Sequence, residues 1–452
     1  MKVSAVILAA GQGTRMRSKL PKVLHRICGR PQIEYSLQIA AQVGAQNIVV
    51  VVGHGAEQVR AVVADRARFS VQDQQLGTAH ALLSAQEQVQ GTADLVVVIS
   101  ADMPLLTAET LSQLVRSQQE KPGAMSMLTV LSDNPRGFGR VVRGVDGSAV
   151  AIVEERDCTP EQLAINELNV GAYCFQENWL WKALERVEKS PKGEFYLTDL
   201  VAIAVKDELA VQALTLQDIQ ESVGINTRIH LAEAEAIMRQ RINQRHMLNG
   251  VTLIDPASTY IEDGVQIGSD SVIWPNTYLR GATTIGEDCQ IGPNTMIADC
   301  KVGNRCKVLS AVMEKAILED DVDMGPFARL RKGAHLGNHV HMGNFGEVKD
   351  SYLGEGTKMG HFSYIGNAQI GPNVNIGAGT ITCNYDGEKK HPTEIGANVF
   401  IGSDTMLVAP VKLGDNSKTG AGSVVTHDVP ENEIVVGVPA RPLRKKSERE
   451  DG

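Results

Sequence analysis

Two cations and a carboxylate in the first half of the chain, and one histidine in the second, are the places where chemistry could begin. Leu8-Ala9-Ala10-Gly11-Gln12-Gly13-Thr14-Arg15 sets a glycine-rich turn directly behind a strand-like run, and Lys22 follows Arg15 by seven residues. Glycines let backbone N–H groups come close to a phosphate, and a helix starting behind such a turn favours negative charge. The segment is not a Walker loop, since no Gly-Lys-Ser/Thr closes it, and a dinucleotide fingerprint would need glycine where Met16 stands. Arg15 and Lys22 together suit a pyrophosphate; a structurally neutral turn is the alternative, because a lone Gly-x-Gly is weak evidence. Asp102 lies just beyond the apolar run Leu95–Ser100, where a carboxylate can hold Mg²⁺. A helix-capping or turn aspartate is the competing reading. In the second half His361 sits in the segment MGHFSY, but His335, His339, His341 and His391 lie nearby, so residue type alone leaves open an exposed histidine on a coil wall.

These residues need elements to hold them. Val3–Ala10, Asn47–Val52 and Leu95–Ser100 read as strands, with helices over Gln32–Val43 and Gly77–Val89. Short apolar runs without polar alternation, separated by helices, indicate a mainly parallel sheet covered on both faces. Such sheets place ligands at the carboxyl ends of their strands, which directs attention to 11–15, to Gly53-His54-Gly55 and to Asp102-Met103-Pro104. Thr227–Met247 is charged and periodic and predicts one long linking helix, with Asn226 or Thr227 as its N-cap and Gly250 beyond its end.

From residue 261 the period becomes six: IEDGVQ, IGSDSV, IWPNTY, LRGATT, IGEDCQ, IGPNTM, and later IGPNVN, IGAGTI, IGANVF, IGSDTM. An aliphatic residue opens almost every block, in phase over about 165 residues, which signals a parallel β-helix. Each block makes one wall of a three-sided prism, the aliphatic side chain points inward, and residues 18 apart stack. Two stretches are less regular, and one interruption matters: between Ile381 and Ile395 the rhythm breaks for a loop carrying Asn384, Tyr385, Lys389 and Lys390. Insertions in a solenoid become loops that frequently carry binding groups. The expected domains are 1–225, a linker helix 226–249, the β-helix 250–437 and a C-terminal tail 438–452, charged and poorly ordered over 441–452.

Composition bounds the rest. Aromatics make up only 4% while glycines number 43, which suits a core of stacked small aliphatic side chains. The net charge of −9 offers no basic face for nucleic acid, yet does not exclude phosphorylated small substrates read by a few local cations. The opening apolar run leads straight into the glycine turn and reads as a buried strand rather than a signal peptide. No segment approaches the ~20 apolar residues of a membrane span. Seven cysteines, none in a CxxC pair, fit reduced thiols in a cytoplasmic protein, with neither disulfide framework nor zinc site.

Residues 3–226 resemble the nucleoside-diphosphate-sugar pyrophosphorylases, through LAAGQGTRM, the lysine of LPKVLH, QLGTAHA, ADMPL, GFGR, the glutamate of IVEE, the asparagine of ELNVGA and GEFYLTD. With the hexapeptide half, the whole chain is similar to the bifunctional bacterial N-acetylglucosamine-1-phosphate uridyltransferase/glucosamine-1-phosphate acetyltransferases. The resemblance implies a Rossmann-like α/β nucleotidyltransferase domain, a linker helix and a left-handed parallel β-helix, assembled as a homotrimer. It implies that Leu8, Ala9, Ala10 and Gly11 lie against a uridine nucleotide, with Gln72, Gly77 and Thr78 reading the uracil. Arg15 and Lys22 would neutralise the departing pyrophosphate, and Asp102 and Asn226 would hold Mg²⁺. Gly139, Glu154, Asn169, Tyr196 and Thr198 would contact the sugar. The implied reaction is in-line attack of a sugar phosphate oxygen on the α-phosphorus of UTP, which needs positioning and charge stabilisation more than a protein nucleophile.

In the second half the resemblance makes His361 the general base for acetyl transfer from acetyl-CoA to the amine of glucosamine 1-phosphate. Imidazole suits the task, because its ordinary pKa of about 6.5 is near working pH. Arg331, Lys349 and Lys390 would hold the phosphate, Tyr364, Asn375, Asn384 and Tyr385 the sugar, and Ala378, Ser403 and Ala421 the coenzyme. The product, UDP-N-acetylglucosamine, is a cell-wall precursor. Four positions depart from the family pattern: Ser100-Ala101 where an aromatic residue and glycine are commoner, Val170 for threonine, and Gly437 where an arginine often meets the coenzyme phosphate. Two other readings compete: a pyrophosphorylase whose β-helix only assembles or regulates it, and a non-enzymatic subunit with a dead site. Arg15, Lys22 and Asp102 argue against the second of these, and His361 with the Asn384-Tyr385-Lys390 loop against the first.

Overall fold

The computed structural model describes residues 1–135 and 137–443; the expected tail beyond residue 443 lies outside the described residues. The chain forms two compact units that divide between Met238 and Arg239, inside the helix Arg228–Leu248.

In the first unit the strands run, edge to edge, Val211–Thr215, Met125–Leu131, Glu167–Gln176, Leu95–Ser100, Val3–Ala9, Asn47–Val52 and Arg68–Val71. Only Glu167–Gln176 runs antiparallel to its neighbours on this path. Both faces are covered. Ala5, Ile7, Val50, Val52, Val97 and Ile99 pack into one core, and Val6, Val49, Val51, Val96 and Val98 into the other. That double burial is why the strands read as unbroken apolar runs. From Val3–Ala9 the chain moves to one side through Asn47–Val52 and Arg68–Val71, then returns to pair Leu95–Ser100 on the other. The ends of Val3–Ala9 and Leu95–Ser100 therefore flank a topological switch point, where open α/β sheets form their ligand crevice.

The helix expected over 77–89 is two pieces, Thr78–Leu83 and Gln86–Val89. Gly77 precedes the first with φ 106°, and a Cβ there would lie 2.4 Å from the Phe195 carbonyl oxygen, so only glycine fits this close approach. The long helix takes Thr227 as its cap, since Thr227 Oγ1 accepts from His230 N–H at 3.2 Å. That choice leaves the Asn226 side chain free for other partners.

The second unit is a left-handed parallel β-helix of three sheets with twelve, ten and nine strands. Aliphatic residues stack inward along each wall, as in Ile267–Ile285–Val302–Leu318–Leu336–Leu353–Ile370. The 18-residue stack holds for Ile267 on Ile285, but Ile285 meets Val302 and Val302 meets Leu318, steps of 17 and 16. Corners in these coils lose a residue while the walls keep register. The insertion lengthens one coil, so that Ile370 stacks on Ile395. Beyond the expected end of the β-helix, Arg441–Pro442 pairs antiparallel with Ile434–Val436.

Candidate active sites

At the switch point a cleft of roughly 430 Å³ opens, lined by Leu8, Ala9, Ala10 and Gly11 from the first strand end and by Ser100 and Asp102 from the second. Lys22, Gln72, Gly77 and Thr78 line the same end, and Glu154, Asn169, Tyr196 and Thr198 the far wall.

One ammonium organises the mouth. Lys22 Nζ donates to Asp102 Oδ2 at 2.5 Å and to Asn226 Oδ1 at 3.2 Å, and Arg15 Nη2 donates to the same Asn226 oxygen at 2.9 Å. Gly13 makes room for this lysine: its φ is 61°, and a Cβ would sit 2.7 Å from Lys22 Cβ. Burial pushes the Asp102 carboxyl up, but the Lys22 charge, its hydrogen bond and those from Ser100 and the backbone outweigh it, and the pKa falls below the ordinary value. Two hard oxygens bridged by one cation form the donor set expected of Mg²⁺, which takes few protein oxygens and completes its shell with water and phosphate. The Lys22 ammonium lies between these two oxygens.

Inside, Gln72 Nε2 donates to the Gly77 carbonyl at 3.0 Å and meets His80 Nδ1 at 3.1 Å. Thr78 Oγ1 accepts from Leu197 N–H at 3.0 Å. Opposite, Thr198 Oγ1 donates to Glu154 Oε1 at 3.0 Å, while burial raises the Glu154 pKa. Gly139 does not line the cleft; it stands one layer behind, its carbonyl accepting from Asn169 N–H at 2.9 Å. The sequence reading passed over Gln75, Arg156, Gly171, Tyr173 and Glu194 among the lining residues. Arg156 pairs with Glu194 and lies 5.3 Å above the Tyr196 ring. Gly171 and Tyr173 share the strand of Asn169, and a period of two would have put all three on one face.

In the β-helix the named residues fall into two groups. Along one edge, successive corners carry His361-Phe362, Ala378-Gly379, Ser403-Asp404 and Ala421-Gly422, joined by Gly379 N–H to Phe362 O, Asp404 N–H to Ala378 O and Gly422 N–H to Ser403 O. Across the adjoining wall, Arg331, Lys349 and Lys390 gather; the Lys349 ammonium beside it lowers the Lys390 pKa, with a further contribution from Arg331. Between the groups, Tyr364 Oη and Asn384 Nδ2 converge above Gly366, where a Cβ would come within 2.5 and 2.8 Å of them. The insertion is a small hairpin: Tyr385 bridges Lys390, and Asp386 Oδ2 holds His391 Nε2 at 2.6 Å. Asn375 is not brought to this wall; it lies on another sheet, paired with Lys358 and Phe400.

A family model for MobA-like NTP transferase domains matches residues 5–189, and one for bacterial transferase hexapeptide repeats matches 282–313 and 392–427. The chain is 44% identical over 434 residues to a protein of Latilactobacillus sakei called bifunctional protein GlmU, covering 96% of this chain and 94% of that one. A Geobacillus protein of the same description is 45% identical over 448 residues, covering 99% and 97%. Another, from Listeria monocytogenes, is 44% identical over 431 residues, covering 95% and 94%.

Proposed function

This chain belongs to the bifunctional GlmU family, and from that membership we propose how its residues divide two reactions. It is a nucleotidyltransferase and an N-acetyltransferase. Acetyl passes from acetyl-CoA to glucosamine 1-phosphate; uridylyl then passes from UTP to N-acetylglucosamine 1-phosphate, giving UDP-N-acetylglucosamine and pyrophosphate.

For uridylyl transfer the carrying observation is the Lys22 ammonium bridging Asp102 and Asn226 at the cleft mouth. Asp102 and Asn226 would hold Mg²⁺, which when bound would supply positive charge for the triphosphate. Arg15 and Lys22 take the charge that develops on the departing pyrophosphate. Leu8 to Gly11, Gln72, Gly77 and Thr78 hold the nucleotide. Glu154, Asn169, Tyr196 and Thr198 orient the sugar phosphate, with Gly139 setting Asn169 from behind. Alignment of two bound reactants accounts for most of the catalysis, so no protein nucleophile is needed.

For acetyl transfer, His361 takes the proton of the sugar amine as its nitrogen attacks the thioester carbonyl; the C–N bond forms, the C–S bond breaks, and coenzyme A leaves as the thiolate, which takes up a proton. Arg331, Lys349 and Lys390 hold the phosphate, Tyr364, Asn384 and Tyr385 the sugar, and the edge of Ala378, Ser403 and Ala421 the coenzyme. The imidazole and the cations stand on opposite sides of one wall, which favours sites completed between prisms of a homotrimer. Asn375, on a different sheet, then serves a site through a neighbouring copy. The same edge carries Phe327, Phe345 and Phe362, 62%, 61% and 55% exposed, the first two stacked with ring centroids 5.5 Å apart. Such a run of exposed rings is a surface awaiting a partner. Co-substrates of central metabolism and seven free cysteines support a cytoplasmic enzyme of cell-wall synthesis; among the described residues no helix is long and apolar enough to cross a membrane.

Separate assays of the two reactions test the division. His361→Ala should abolish acetyl transfer and leave uridylyl transfer intact, and Asp102→Asn should do the reverse. Loss of both activities from either change, in a folded protein, refutes it.

A further inference from the structure

The far wall of the first cleft holds a tyrosine to which neither reaction above gives a role. Tyr173 lines the cleft yet is only 3% exposed, and its oxygen accepts from Asn169 Nδ2 at 2.7 Å. The other end of the same amide is also engaged, since Asn169 Oδ1 accepts from Gly171 N–H at 3.2 Å. The amide therefore has one orientation: turned over, it would set its own N–H groups against that of Gly171. The geometry comes from an irregularity in Glu167–Gln176, whose pairing with Met125–Leu131 shifts register between Asn169 and Tyr173. Gly171 lies within it at φ 85°, and no atom lies within 4 Å of where its Cβ would be, so the glycine serves the backbone turn and leaves the wall open.

Hydrogen-bond capacity decides what this arrangement requires. A phenol donates one bond as well as accepting. Among the described residues no protein acceptor takes the Tyr173 O–H, and the Asn169 amide has a second N–H beyond the one given to Tyr173. Two donors thus stand side by side on the cleft wall, and a bound ligand that displaces water there must meet both, since an unmet buried donor is costly. Glu154, held by Thr198, lines the same cleft and offers an acceptor to the ligand's own hydroxyls.

We propose that Tyr173 is a specificity-determining residue for uridylyl transfer: its O–H donates to an oxygen of the bound sugar, and its oxygen holds the Asn169 amide in the sugar-binding orientation. The inference rests on the reading that this wall takes the sugar phosphate. A ligand offering an oxygen to both donors is accepted; one lacking it leaves both unmet.

The test uses full-length protein with Tyr173→Phe and Asn169→Ala, each assayed for both reactions. Tyr173→Phe should raise KM for N-acetylglucosamine 1-phosphate about tenfold, equivalent to about 1.4 kcal/mol, and leave KM for UTP within about twofold. Acetyl transfer, measured on the same preparation together with the urea midpoint, reports folding. Combining the two changes should cost less than the product of the single effects, because part of the tyrosine's role passes through the asparagine. If Asn169→Ala raises the sugar KM and Tyr173→Phe does not, the role of Tyr173 is overturned and the sugar wall stands. If neither change moves it, the assignment of the wall fails, and this inference with it. A Tyr173→Phe protein that weakens UTP and sugar equally, with a lowered urea midpoint, shows a structural residue only and also overturns the proposal.

Discussion

Replacing Lys22 by methionine removes the ammonium while keeping most of the stem. The ion pair with Asp102 is nearly buried, the two side chains being 15% and 16% exposed. Removing one partner of a buried pair strands the other charge, typically at a cost of ~3–5 kcal/mol. Residual exposure puts this case at the lower end, about 3 kcal/mol. For a unit of this size each kcal/mol moves Tm by about 2–4 °C, so the melt should fall by ~6–12 °C. Its pH dependence is the sharper signature. In the parent the Asp102 pKa is depressed, so its contribution is fully present above the unfolded carboxylate value of about 3.9 and is lost as pH falls through the folded one. In Lys22→Met the largest remaining influence is burial, which raises that pKa and reverses the sign: the variant gains stability as pH falls toward the raised value. The gap between the two proteins should be wide at pH 8 and narrow at pH 5. Adding Asp102→Asn should restore much of the loss, because no stranded charge remains. Tryptophan fluorescence melts suit the measurement, since Trp179 and Trp181 lie in this unit and only Trp274 in the other. A fall of less than 2 °C at pH 8, or a gap that stays constant to pH 5, refutes the reasoning.

Two further outcomes follow from the β-helix. Lys390→Ala should raise KM for glucosamine 1-phosphate about tenfold and leave KM for acetyl-CoA near the parent value, since one charge-assisted phosphate bond is worth about 1.5–3 kcal/mol; steady-state kinetics with each substrate varied in turn decides it. The paired change Phe327→Asp and Phe345→Asp should lower the mass found by light scattering from three copies to one and weaken acetyl transfer, while uridylyl transfer persists; an unchanged mass removes these rings from the interface.

How far each feature was legible follows from the range of the interactions behind it. The β-helix could be read because each coil repeats the same local demand, an inward aliphatic residue, and parallel stacking makes an error of phase costly. The coil lengths could not, because a corner that sheds one residue between Ile285 and Val302 leaves that pattern untouched. In the first half, Val3–Ala9 and Leu95–Ser100 stood out because burial on both faces leaves them apolar except for Ser4 and the terminal Ser100. The helix over 77–89 was misread as continuous, because its apolar spacing carries no trace of the break at Ser84-Ala85.

The functional residues divide along the same line. Strand-end residues such as Gly11 and Asp102 were found by a topological rule that needs only the order of elements. Their chemistry is less local, since Lys22 meets an asparagine 204 positions away. That meeting depends on Thr227, not Asn226, capping the helix: had Asn226 spent its oxygen on the first turn, Lys22 and Arg15 would share no acceptor and the carboxylate would lack its companion oxygen. A choice between two adjacent capping residues, nearly degenerate in propensity, thus decides whether Lys22 and Arg15 share an acceptor beside Asp102. Arg156 and Glu194 show the opposite limit, for their pairing needs the short helix Glu155–Asp157 to meet a distant loop and no periodicity announces it.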